Sequence, residues 1–393
     1  MPLYFERHFC FVNIIPQTEK RKKNMPTSIV KGAPGHYRIG EGILGELPEF
    51  IAELQIKNLH IISGRKSWQA TKPYLPEEIT RLEESNLTFV EGHTTLEKVN
   101  QLANKLKSNG IDAVLGIGGG TALDITKATA VQADIKSILI PSIAATCAAW
   151  TPLSVFYDRN GAFTHYTEFP LATTLVLVEP AIIAEAPVQY LKAGIGDTLA
   201  KFYEADALIE AFFTEEELPV PVKVSQFSAI ICRDVLLKDG QSALDSVNKG
   251  IVTNELTRVI EAIFMTGGMV GGFGEKAGRI AGAHSIHNGL TEAKEVKSLL
   301  HGELVAYGIL VQLALEDKQE ELIKLLDYYQ TWVLPTSLSQ LNIANENKEL
   351  LSAIIEKAIL PHESIHFMKR EITKEAVFDA MMMVEKLNLT KAS

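Results

Sequence analysis

From Ser28 to about Pro180, short apolar runs alternate with amphipathic stretches. The runs 59–63, 87–91, 113–117, 138–140 and 174–178 predict strands, and the spacing in 44–54 and 96–108 predicts helices between them. Such alternation predicts a parallel sheet covered by helices. The run DAVLGIGGG is rich in Val, Leu and Ile and has no polar face, as a strand buried on both sides requires. After about Ala181 the strand signals fade. Helical patterns continue through Ile372 to Leu389, punctuated by Pro187, Pro219, Pro221, Pro335 and Pro361. The expected architecture is an α/β domain with a parallel sheet over residues 25–182 and an all-α domain over 183–393, with the functional site in the cleft between them.

Composition narrows the functional classes. A chain of 393 residues exceeds the roughly 250–300 at which single cores stop growing, so two domains are expected. The net charge of −10 argues against a broad nucleic-acid surface. The three cysteines, Cys10, Cys147 and Cys232, are too scattered for a disulfide framework or zinc knuckle, which fits a reducing cytoplasm. No apolar run approaches the ~18–20 residues of a membrane span. The first 24 residues carry Glu6, Arg7 and His8 inside what would be a signal peptide's apolar stretch. They are read as a disordered or non-native extension, with translation starting at Met25. The expected partner is a small-molecule substrate, within a homo-oligomer, with neither nucleic acid nor membrane.

Two constellations carry chemistry. The segment GIGGGTALD, residues 116–124, follows a strand and opens a helix. Its glycines allow close backbone approach to a pyrophosphate at a helix N-terminus. The spacing differs from G-x-G-x-x-G, and a tight strand-to-helix turn without a ligand is the competing explanation. Asp197 lies in AGIGDTLAKFYEA, where glycine-rich sequence is expected to enter a helix. His284 and His287 lie in AGAHSIHNGLT, and His301 in LLHGELVAYG. An Asp with two or three His suits Zn²⁺ or Fe²⁺. His287 follows His284 by three residues and shares its helix face, as a ligand, a ligand's partner or a packing residue.

Together GGGTALDITK, PSIAATCAAWTPLSVFY, AGIGDTLAKFYEA, AHSIHNGLT and HGELVAYG resemble the ordered motif set of the iron-containing alcohol dehydrogenase and glycerol dehydrogenase family. The resemblance runs from about Val30 to near the C-terminus. It implies a dinucleotide-binding α/β domain, a helical domain and a divalent metal between them. Carried over by position, the implied metal ligands are Asp197, His284 and His301. The implied cofactor contacts are Gly118, Gly119, Gly120, Thr121, Ser142, Thr151, Leu153 and Tyr157.

Two departures within that resemblance point to the substrate. The four-ligand iron branch has a His four residues after the Asp. Here Lys201 stands there, and an ammonium has no lone pair for a metal, which favours a three-ligand site and Zn²⁺ over Fe²⁺. Glycerol dehydrogenases carry an Asp where this chain has Cys147, a poor acceptor for polyol hydroxyls. CAAWTPLS and DTLAK resemble the hydroxycarboxylate dehydrogenase branch instead, which implies reduction of a 2-oxo acid. Lys201, on the same helix face as Asp197, is expected to read the substrate carboxylate, the competing roles being an ion pair with Asp197 or packing against Trp150 or Phe202. Gly64 stands where glycerol dehydrogenases have an Asp for the ribose hydroxyls, and Arg65 follows it, so NADP(H) is expected over NAD(H). His287 and a relayed water are the two candidate proton donors. The rivals are a polyol dehydrogenase, a cofactor-binding regulator without catalysis, and a lyase resembling dehydroquinate synthase, whose metal carboxylate is Glu rather than Asp.

Overall fold

The computed structural model describes residues 29–159, 161, 163–345 and 347–392; the extension 1–24 lies outside them. Eight strands are present among the described residues: β1 (His36–Ile39), β2 (Leu59–Ser63), β3 (Leu87–Phe89), β4 (Ala113–Gly118), β5 (Lys136–Pro141), β6 (Leu153–Tyr157), β7 (Phe163–Glu168) and β8 (Leu175–Val178). Six form one sheet in the order β1-β8-β5-β4-β2-β3, with every pair parallel. β6 and β7 form a separate antiparallel hairpin.

The apolar runs become strands because both sheet faces are covered. Ala113, Leu115 and Ile117 pack into one cluster with Ile61 and Ile138, and Val114 packs with Leu106 and Ile125 on the other side. Each expected strand forms, with ends shifted by a residue or two. β1 and the β6–β7 hairpin were not foreseen. The expected helix over 44–54 divides into a 3₁₀ turn, Ile43–Glu46, and the helix Leu47–Glu53, with Pro48 at its first turn.

Beyond β8 the described chain is helical. The helix His301–Leu315 is buried almost all round and is the axis of the second domain's core. It packs against Val188–Phe212 and Gly282–Leu290. Glycines set the first of these contacts. A Cβ on Gly302 would stand 1.8 Å from the Ala193 carbonyl oxygen, and one on Gly196 would stand 2.4 Å from the Gly302 carbonyl oxygen. Backbone therefore meets backbone where these helices cross.

Candidate active site

Asp197 does not sit where a helix begins. Its helix starts at Val188, and Gly194 and Gly196 lie inside it. These glycines are tolerated in a helix because they face the Ala144 and Gly302 carbonyls, where no side chain fits. The close crossing brings Asp197 Oδ1 to 3.3 Å from His301 Nε2, and Asp197 Oδ1 is 3.4 Å from His284 Nε2. One ligand atom from each of Asp197, His284 and His301 falls within 4.8 Å of the others. Asp197 and His284 are buried, whereas the His301 side chain is 41% exposed, so the cluster opens on one side.

Neighbouring groups orient these rings. Glu204, fully buried and seven residues after Asp197, is on the same helix face. Its Oε2 is 2.7 Å from His284 Nδ1, while Oε1 accepts from the Ala281 and His284 amides at 2.7 and 2.9 Å. Glu204 thus caps the helix carrying His284 and accepts a hydrogen bond from its Nδ1–H, turning Nε2 toward Asp197. Burial works against charge on His284, yet Glu204 and Asp197 outweigh it and push its pKa up to about 9. Positive charge is favoured at this point, and the donor set fits a divalent cation. His287 approaches His301 Nδ1 through Nε2 at 2.9 Å and Asn288 Oδ1 through Nδ1 at 3.0 Å. Burial first, then His301 and His284, hold its pKa well below the usual imidazole range.

Lys201 Nζ is 3.6 Å from Asp197 Oδ1, and its side chain is 15% exposed. Burial opposes its charge, but Asp197 and then Cys147 more than compensate, raising its pKa. Burial pushes the Cys147 thiol up, against the pull of Lys201. Trp150, a candidate packing partner for Lys201, instead donates Nε1–H to the Gly32 carbonyl at 2.7 Å and lies against Gly268.

The nucleotide candidates gather at the carboxyl ends of adjacent strands, where open α/β sheets bind ligands. Gly64 follows β2, Gly118 ends β4 and Ser142 follows β5, its amide donating to the Gly118 carbonyl at 3.0 Å. Gly118 has φ +155°, and a Cβ there would lie 2.7 Å from Ala122 Cβ. Gly119 caps the helix Gly120–Ala133, leaving the amides of its first turn, including Thr121, free of helical partners. Thr151 precedes β6, and Leu153 and Tyr157 are its first and last residues. Arg65 opens the helix after β2, with its guanidinium 4.6 Å over the Phe89 ring and Nε 3.3 Å from Glu91.

Five further residues matter here that sequence reasoning left unassigned: Asp124, Lys127, Glu204, Asn288 and Glu363. Lys127 Nζ donates to the carbonyls of Ala148 (2.7 Å), Thr151 (3.1 Å) and Leu153, and pairs with Asp124 at 3.0 Å. Asp124 Oδ2 accepts from the Val155 amide at 3.0 Å. Two buried charges thereby hold the segment that carries Cys147, Thr151 and Leu153. Their signal was an i,i+3 charged pair inside an otherwise apolar helix.

Over 92% of its length, and 98% of the relative's, the chain is 39% identical to hydroxycarboxylate dehydrogenase A of Escherichia coli (strain K12). It belongs to the iron-containing alcohol dehydrogenase family. The model of that family matches residues 34–180. Glycerol dehydrogenase of Thermotoga maritima is 31% identical over 90% of the chain and 96% of that protein. The crystal structure of a probable glycerol dehydrogenase from Sinorhizobium meliloti superposes with a TM-score of 0.81 at 27% identity, covering 92% of this chain and 99% of that one. The chain is therefore a metal-dependent dehydrogenase acting on alcohol groups, with the two-domain architecture of that family. None of the described helices is long and apolar enough to cross a membrane.

Proposed function

We propose that this dehydrogenase reduces a 2-oxo acid to a 2-hydroxy acid with NADPH, using Zn²⁺ held by Asp197, His284 and His301. The observation that carries the reading is Lys201, a partly buried cation 3.6 Å from Asp197 where a fourth metal ligand would otherwise stand. When bound, the metal supplies Lewis acidity to a substrate carbonyl, and the reduced nicotinamide supplies the hydride. Asp197 and Glu204, Lys201 and a divalent cation together leave the pocket a net positive charge, which suits an anionic substrate. A carboxylate adjacent to the reacting carbonyl falls within reach of Lys201, while the neutral thiol of Cys147 offers polyol hydroxyls little. A bound reduced nicotinamide would supply the hydride to the carbonyl carbon, and the open side of the cluster at His301 would admit the water that gives the product oxygen its proton. Gly64, Arg65, Gly118, Gly119, Gly120, Thr121, Ser142, Thr151, Leu153 and Tyr157 frame the cofactor. The 39% identity to a hydroxycarboxylate dehydrogenase supports this substrate class over glycerol.

The test is NADPH oxidation by zinc-reconstituted enzyme on 2-oxo acids, dihydroxyacetone and simple aldehydes, in wild type and Lys201→Met. A hydrogen bond to a charged partner is worth about 1.5–3 kcal/mol, so Lys201→Met should cost roughly ten- to over a hundredfold in kcat/KM on the acid and little on the uncharged carbonyls. Equal losses on both classes, or higher wild-type kcat/KM on dihydroxyacetone, would overturn the proposal.

A further inference from the structure

The ring of His301 is oriented by side chains that run away from the cluster. His301 Nδ1 lies 2.9 Å from His287 Nε2, and His287 Nδ1 lies 3.0 Å from Asn288 Oδ1. Asn288 Nδ2 lies 3.1 Å from each carboxylate oxygen of Glu363, 75 residues away. Glu363 is buried, on the loop before the 3₁₀ turn Ser364–Phe367.

The direction of every bond in this chain follows from its last member. Both oxygens of Glu363 accept, so Asn288 must present its NH₂ to them. The amide oxygen of Asn288 then faces His287. An amide oxygen only accepts, so His287 Nδ1 carries a proton and donates. As a neutral imidazole, His287 has a bare Nε2 and accepts. His301 Nδ1 therefore carries the proton that it donates, which leaves His301 Nε2 bare and facing Asp197 Oδ1 at 3.3 Å. From Glu363 to His301 every donor meets an acceptor, and the path ends on two lone-pair donors, His301 Nε2 and Asp197 Oδ1, which together suit a cation. Reversing one bond would set two donors or two acceptors against each other at about 3 Å.

We infer that Glu363, through Asn288 and His287, fixes the tautomer in which His301 offers Nε2 to the divalent metal. The inference rests on the proposed ligand triad. Glu363, Asn288 and His287 are positioning residues. Both His287 nitrogens are committed to neighbours, so His287 is not the proton donor to the product oxygen, and water fills that role. Glu204 does for His284 in one bond what Glu363 does for His301 in three. Each ligand histidine is thus set by its own carboxylate, a relation in which losing the outer partner costs about 10–100-fold in metal affinity.

The test is zinc affinity of the full-length protein, measured by chelator competition, with thermal unfolding of the metal-free protein as the check on folding. In Glu363→Gln the amide of residue 363 presents a donor, so Asn288 can turn over and its NH₂ would face His287 Nδ1. Zinc affinity should fall about 10–100-fold. The double variant E363Q/N288D restores the polarity: the new carboxylate at 288 accepts from both Gln at 363 and His287 Nδ1. Its affinity should return to within about threefold of wild type, which a merely structural role for Glu363 does not predict. Wild-type affinity in E363Q, or no recovery in the double variant, would overturn the inference. If E363Q does not fold, long-range ¹H–¹⁵N spectra of histidine-labelled wild type decide it: His301 protonated at Nδ1 upholds the inference, and protonation at Nε2 in the metal-free protein overturns it. Asp197→Ala keeping wild-type zinc affinity would instead sink the triad itself, so the two failures are distinguishable.

Discussion

The crossing at Gly302 lets the metal site be tested without touching a ligand. In Gly302→Ala the new Cβ would lie 1.8 Å from the Ala193 carbonyl oxygen, whereas ordinary contact begins near 3.4 Å. The two helices must therefore separate by about 1.6 Å at that point. Overpacking of this kind costs about 1–3 kcal/mol. Alanine in place of a helical glycine returns about 0.8–1 kcal/mol. The net destabilisation is then at most about 2 kcal/mol, or roughly 8 °C in the Tm of a domain of about 200 residues. The effect on the metal is out of proportion. Ligand distances tolerate about 0.2 Å, and His301 adjoins Gly302 on the helix that must move away from Asp197. Zinc affinity should fall by more than about a hundredfold while most of the protein stays folded. The assay pairs chelator competition with thermal unfolding of the metal-free protein, because bound metal would itself raise Tm. Zinc affinity within about tenfold of wild type would show that the backbone contact does not set the site, and a Tm loss well beyond about 8 °C would show general unfolding.

Other outcomes follow from the same geometry. Asp197→Ala, His284→Ala and His301→Ala should each abolish turnover and metal retention with the fold intact; near-wild-type activity and metal content in any one of them excludes that residue as a ligand. NADPH should be preferred to NADH, and Arg65→Ala should lower kcat/KM for NADPH about tenfold while sparing NADH, since its exposed pairing with Glu91 is worth under about 1 kcal/mol; comparable kcat/KM for the two cofactors in wild type refutes this. Lys127→Met leaves Asp124 buried and unpaired and should cost about 3–5 kcal/mol in denaturant unfolding, with a raised KM for the nucleotide; a loss under about 0.5 kcal/mol would show that the pair does not hold the loop.

Much of the fold was legible because its strands are buried on both faces and carry continuous apolar runs. β1 was not, because HYRI is a half-exposed edge strand of four residues whose partner, β8, is over a hundred positions away. The β6–β7 hairpin escaped for a related reason. FTHYTE is rich in polar residues and none of it is buried, and only its pairing with LSVFY makes it a strand. At the site, motif order pointed to Asp197, His284 and His301, and the structure brings those three together. Glu204 and Glu363 were illegible because a lone acid in a helix or loop reads as a solvated surface group. Only the fold shows them buried against imidazole or amide. Gly194 and Gly196 were misread as a helix entrance because glycine disfavours helices, and the tertiary contact that selects them has no local signal.

The clamp formed by Lys127 grips carbonyl oxygens, a feature every residue type possesses. The shape of the loop from Ala148 to Leu153 is thus written in the helix beneath it and in the Trp150 anchor, rather than in the side chains at 147, 151 and 153. Side chains at 147, 151 and 153 are released from structural duty and can be exchanged to suit another substrate or nucleotide while the main chain stays in place. A library confined to those three positions, with Asp124 and Lys127 left untouched, is the economical route to redirecting this enzyme.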